Sequence, residues 1–209
     1  MLWCVTLTCL VSLVWGQELV QNSGMETINY WNCWGFQCHV TSTRHSGSHA
    51  IQTSGRTNDY QGPGQFINLQ SGRSYKVSAY VRLLNDHAGE LRQNLQITVA
   101  FTFFDGTKDW VHVANEPVAR KSDGWIHLMG DIHAPSKQIK ESLVYVEGPK
   151  PGVDFIVDEF SVTPIATDLS WRHASDSNIN KFRKSSIVIN VHTNGPVDLN
   201  QVVVEVRLI

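Results

Sequence analysis

The chain has 209 residues, with 17 Lys or Arg against 19 Asp or Glu and a formal net charge of -2. That balance, without clustered cations, excludes a nucleic-acid surface, which needs a concentrated basic patch. The length admits one domain with a real core plus an appendage.

The first sixteen residues, "MLWCVTLTCLVSLVWG", carry no charge. The run is too short to span a bilayer, and Gly16 with Val14 before it fits a peptidase site ahead of Gln17, so residues 1–16 read as a secretory signal. Its removal leaves 209 − 16 = 193 residues with no second apolar run long enough to cross a membrane. The mature chain is expected to be secreted, extracellular and soluble. Cys4 and Cys9 leave with the signal, which isolates Cys33 and Cys38 in "CWGFQC". In an oxidising compartment this pair is expected to form a local disulfide that staples a loop.

From Leu19 to Ile165 the pattern is all-β. "SYKVSAYVRLL" sets Tyr75, Val77, Ala79, Val81 and Leu83 on one face, and "NLQITVAFTFF" alternates Leu95, Ile97, Val99, Phe101 and Phe103 with polar residues. "WVHVA", "GWIHLMGDIHA", "SLVYVEG" and "VDFIVDEFSV" are further runs of period two, separated by turn clusters such as "QGPGQ", "DGTKD" and "EGPKPG". Short strands at such spacing predict an antiparallel sandwich. After Pro164 the character changes. "TDLSWRHASDSNINKFRKSS" puts Trp171, Ala174, Ile179 and Phe182 near one side of a short helix, with Asp168 or Ser170 as N-cap. "SIVINVHTNGPVDLNQVVVEVRLI" then reads as a β-hairpin around Asn194-Gly195. A chain ending on an uncovered apolar strand is expected to continue into something longer.

Nucleophile elbows, phosphate loops and zinc-protease motifs are absent from the sequence. "HSGSH" spaces His45 and His49 by four, but its Gly and Ser make it a loop rather than a helical ligand pair. Sugar rings offer an apolar C–H face and a hydroxylated edge, so a site for them needs exposed aromatic platforms beside planar hydrogen-bonding groups. The candidates for it are Arg56 and Tyr60 in "SGRTNDYQGPGQ", Trp110 after the "DGTKD" turn, Trp34 inside the cysteine loop, and Tyr145 with Glu147 on one strand face.

The successive segments "LVQNSGMETINYW", "HSGSHAIQTSGRTNDYQGPGQFI", "LQSGRSYKVSAYVRL", "GWIHLMGDI" and "VYVEGPKPGVDFIVDEFSV" resemble, in this order, the motifs of carbohydrate-binding module family 22, in the cellulose/xylan-binding superfamily. The likeness covers roughly residues 18–165. The tail "SWRHASDSNINKFRKSSIVINV" resembles the segment that joins such modules to a glycoside hydrolase family 10 catalytic barrel and stops before the barrel begins. The resemblance implies a jelly-roll β-sandwich over residues 17–165, with 166–209 as a helix-and-hairpin linker, and a shallow cleft for β-1,4-linked chains such as xylan. The family's cleft Trp falls on Tyr60 and its cleft Glu on Glu147, while Arg56 belongs to the "GRT" motif, where it either orients the loop or touches sugar. Its cleft Tyr falls on Leu143, its Arg on Trp34, and a tyrosine of a neighbouring strand on Trp110. The same resemblance implies a structural calcium held by Glu26 and Asp158, with a backbone carbonyl near Ser48.

The expected function is a non-catalytic module that binds plant polysaccharide and carries an attached hydrolase to it; the alternative is a free-standing lectin-like or adhesion protein. A glycosidase is disfavoured because Glu147 has no partner carboxylate at the separation such chemistry requires. Asp154 is assigned to a turn. Strand alternation puts Glu159 on the opposite side from Asp158, with no role.

Overall fold

A computed structural model describes residues 17–166, together with residues 175, 177–179 and 195. Residues 17–166 are all-β apart from one 3-10 turn at Lys121–Asp123. Nine strands follow one another: β1 (Gln37–Thr41), β2 (Ala50–Ser54), β3 (Gly64–Ile67), β4 (Ser74–Leu83), β5 (Gln93–Phe103), β6 (Lys108–Ala119), β7 (Ile126–His133), β8 (Ile139–Glu147) and β9 (Phe155–Pro164). They pair antiparallel into a five-stranded sheet, β1-β2-β9-β4-β7, and a four-stranded sheet, β3-β8-β5-β6. The result is a two-sheet β-sandwich. The short helix expected after Pro164 is not borne out as an element of the fold, and most of the expected hairpin lies outside the described residues, as does the signal segment, residues 1–16.

Period-two alternation builds the core. Val77, Ala79, Val81 and Leu83 of β4 and Phe155, Val157, Phe160 and Val162 of β9 are buried. So are Leu95, Ile97, Val99 and Phe101 of β5 with Val144 and Val146 of β8. Each sheet thus contributes one apolar face to a shared interior, which leaves the other face for solvent or for function.

One irregularity redirects the acids of β9. Tyr80 pairs with Asp158 but Ser78 with Ser161, so β9 carries an extra residue, and Glu159 sits there at φ 50. A bulge of this kind resets which way successive side chains point. Glu159 and Asp158, expected on opposite sides, both reach the same residue: the His45 amide donates to Asp158 Oδ2 at 2.7 Å, and His45 Nδ1 lies 2.5 Å from Glu159 Oε2.

Candidate functional site

The outward face of the β3-β8-β5-β6 sheet follows from its register. Phe66, Leu143, Ala100 and Trp110 align across the four strands, and Gly64, Tyr145, Thr98 and His112 form the next row. Residues two apart on a strand share a face, so these rows tile one continuous surface. A cleft of roughly 180 Å³ opens on it. Trp34, Tyr60, Trp110 and Tyr145 line it as aromatic surfaces, above a small-residue floor that includes Gly62 and Ala100.

Two loops hold its walls. Cys33 and Cys38 are joined by a disulfide, with Cα atoms 6.1 Å apart, and Trp34 rides on the loop this closes. The Gln61 amide ties that loop down by donating to the carbonyls of Trp34 at 3.3 Å and Gly35 at 3.1 Å. The second loop carries Tyr60, which is 61% exposed and free to present its ring. Gly62 anchors this loop against β8: a Cβ there would fall 1.6 Å from the Val146 carbonyl oxygen, so only glycine admits the approach.

Arg56 does not line the cleft. It is buried, with its guanidinium 4.8 Å from the centre of the Phe155 ring. Nε donates to Gln61 O at 2.6 Å, Nη1 to Val153 O at 2.7 Å and Nη2 to Pro149 O at 2.6 Å, with longer bonds to Asn58, Asp59 and Lys150 carbonyls. Burial pushes its pKa down to about 10. The residue ties the Tyr60 loop to the β8–β9 turn, a positioning role in place of sugar contact.

Glu147 is 6% exposed and already occupied. Oε1 accepts from Gln96 Nε2 at 3.0 Å and, at very short range, from the Thr98 hydroxyl. Burial, followed by the nearby Glu147 charge, drives the Tyr145 pKa well above the ordinary phenol value. His112 Nδ1 lies 2.9 Å from Thr98 Oγ1 and 3.7 Å from Glu147 Oε1. The acid is the centre of a polar network under the cleft rather than a bare sugar-binding group.

Sequence reasoning missed Phe36, Phe66, Ala100, Thr98 and His112. Phe66 stands 56% exposed on a four-residue strand too short to show alternation. Thr98 and His112 meet only because β5 and β6 shift register between Ile97 and Thr98.

Away from this cleft, Glu26, ahead of β1, and Asp158, on β9, grip one loop. Glu26 accepts the amides of Ser48 and His49 at 2.9 Å each, and Asp158 Oδ2 accepts those of His45 at 2.7 Å and Ser46 at 3.1 Å. Asp158 is fully buried, and desolvation raises its pKa. Two carboxylates at one loop supply the hard oxygen chemistry that calcium prefers, although the Gly47 carbonyl already accepts from Arg44 Nε at 2.7 Å. No group of three or more His, Cys, Asp or Glu side chains converges among the described residues, so such an ion would need backbone carbonyls and water to complete its shell.

A family described as a carbohydrate binding domain matches residues 17–152. The exoglucanase XynX of Acetivibrio thermocellus is 31% identical over 154 residues, covering 70% of this chain and 14% of that protein. Endo-1,4-beta-xylanase 2 of Arabidopsis thaliana is 30% identical over 121 residues, covering 57% of this chain and 11% of that protein. The chain therefore spans a small part of the length of these relatives. Among solved structures, the CBM22-1 xylan-binding domain of Paenibacillus barcinonensis Xyn10C superposes with a TM-score of 0.61 at 24% identity, covering 73% of this chain and 97% of that one. The C-terminal family 22 module of Clostridium thermocellum Xyn10B gives a TM-score of 0.61 at 17% identity, covering 72% and 94%. At such identities the likeness establishes the fold.

Proposed function

The chain belongs to the carbohydrate binding domain family, matched over residues 17–152, and from that premise we propose that its cleft holds a β-1,4-linked plant polysaccharide, xylan or mixed β-glucan. The observation that supports this ligand is the grouping of Trp34, Tyr60, Trp110 and Tyr145 around one open cleft on a sheet face. Aromatic faces take the C–H face of a pyranose, and an open trough admits a chain rather than a single sugar. The module grips without cleaving. Glu147 lies on β8 in one sheet and Asp158 on β9 in the other, so these two acids cannot flank one glycosidic bond.

In the full protein the module tethers an attached glycoside hydrolase to its polymer and raises the enzyme's local concentration there. The uncharged residues 1–16 direct export, which puts the module outside the cell with its substrate. A calcium ion held by Glu26 and Asp158 supplies structural charge compensation to the His45–His49 loop, remote from binding chemistry.

Affinity electrophoresis of the chain in gels containing soluble xylan, mixed β-glucan or hydroxyethylcellulose tests the reading. Retardation by at least one is expected. Unchanged mobility in all three would reject it.

A further inference from the structure

His112 lies two residues beyond Trp110 on β6, on the same outward face, with its side chain 56% exposed. Its Nδ1 is 2.9 Å from Thr98 Oγ1. Thr98 is buried and its hydroxyl has one proton, which it donates to Glu147 Oε1. Glu147 Oε1 receives in addition the Gln96 amide, so it acts as acceptor. Thr98 Oγ1 can then only accept from His112, and Nδ1 must carry the hydrogen. The 3.7 Å approach of Nδ1 to Glu147 Oε1 favours the same assignment.

A neutral imidazole has one N–H, so a proton fixed on Nδ1 leaves Nε2 as a bare acceptor. Nε2 has no hydrogen-bond partner among the described residues. We infer that His112 is a further ligand-binding residue of this cleft, held as the Nδ1–H tautomer so that Nε2 accepts a hydrogen bond from a sugar hydroxyl; the inference rests on the glycan reading above. Same-face neighbours on a strand are about 7 Å apart. A pyranose stacked on the Trp110 indole would turn its hydroxylated edge along the strand toward that nitrogen. The Gln61 amide, another polar group of the cleft, is committed internally to loop carbonyls. An uncommitted acceptor next to a stacking ring is what the hydroxyl rim of a sugar lacks elsewhere in the trough.

The rival account is that His112 merely props Thr98. His112→Asn separates the two, because the asparagine amide can occupy the Nδ1 position and donate to Thr98, while nothing replaces Nε2. At a pH well above the imidazole range, 15N spectra of the wild-type chain should show a protonated Nδ1 and an unprotonated Nε2, and xylohexaose should shift the Nε2 signal. His112→Asn should bind soluble xylan about fivefold more weakly, the loss of one hydrogen bond. An Nε2–H tautomer, an Nε2 signal unmoved by xylohexaose, or His112→Asn binding equal to wild type would each overturn the inference while leaving the glycan reading in place. A wild-type chain retarded by none of the three polysaccharides would bring down both.

Discussion

Trp34 meets the ring of Phe66 edge-on, with centroids 5.8 Å apart and planes at 77°. The contact docks the loop closed by Cys33 and Cys38 onto β3, so the disulfide's constraint is passed to one wall of the cleft. A bridge across a sequence separation of 5 restricts the unfolded chain by about 2 kcal/mol on the chain-entropy account. Replacing both cysteines by serine should lower thermal stability by about that amount and weaken polysaccharide retardation as Trp34 loosens. Calorimetry and affinity electrophoresis on the double variant read the two effects separately.

Arg56 supports the other wall. Its five donors serve six carbonyls, from Asn58 to Val153. A lysine has three donors and no planar fork, so at least three of these buried carbonyls would go unserved. At about 1 kcal/mol each, Arg56→Lys should cost about 3 kcal/mol. In a domain of this size that is a fall in Tm on the order of 6–12 °C, measurable by calorimetry. A change within error of wild type would mean that these carbonyl bonds do not hold the Tyr60 loop.

The strands were legible because β4 and β5 alternate over ten or more residues between two solvents, one apolar and one aqueous. Tyr60 and Trp110 were legible as site candidates because a large aromatic next to a turn has little core to fill, Trp34 because it sits in the cysteine loop, and Tyr145 because it shares a strand face with Glu147. Arg56 was left between orienting its loop and touching sugar because its partners, Pro149 and Val153, lie 93 and 97 residues away, where no local pattern reveals them. Glu147 looked available for the same reason: its burial comes from Thr98 and Gln96 on the neighbouring strand. Glu159 was placed on the wrong side because strict alternation does not anticipate a bulge, and His45, the residue it meets, is 114 positions earlier.

Stacking should dominate the binding energy. Tyr60 and Trp110 are 61% and 55% exposed, and each pays little folding stability to be there. A central aromatic in an interface typically contributes at least 2 kcal/mol, which corresponds to a Kd weakened about thirtyfold. Tyr60→Ala and Trp110→Ala should each show that loss by isothermal titration with xylohexaose, with Tm close to wild type. Full affinity in Tyr60→Ala would remove Tyr60 from the site.

The β5–β6 turn offers a check on the electrostatics away from the cleft. Lys137 donates to Asp105 Oδ2 at 2.5 Å and, with Thr107, holds the Asp105 pKa at about 2, below the ordinary 3.8. A carboxylate depressed in the folded state stabilises above its unfolded pKa and loses that contribution as pH falls through the folded value. The loss should therefore run from near 3.8 down to about 2. A side-chain carbon NMR titration should give the low midpoint, and Lys137→Ala should move it toward 3.8.

The proposed calcium makes a claim about stability rather than affinity. Glu26 and Asp158 bracket the His45–His49 loop from two sides, and Gly47 lies against Glu26 so closely that a Cβ would sit 1.7 Å from Oε1. Drawing two carboxylates toward one loop is unfavourable when nothing neutralises them, and a bound cation removes that cost. An ion present at a hundred times its Kd stabilises the folded state by about 2.7 kcal/mol. Calcium added to chelator-treated protein should accordingly raise Tm by roughly 5–10 °C, while magnesium, which demands tighter octahedral geometry, should do less. Glu26→Gln keeps the oxygen that accepts the Ser48 amide but removes a charge, so its Tm should no longer respond to calcium. A wild-type Tm indifferent to calcium and chelator alike would leave the two carboxylates as acceptors for the loop's amides and nothing more.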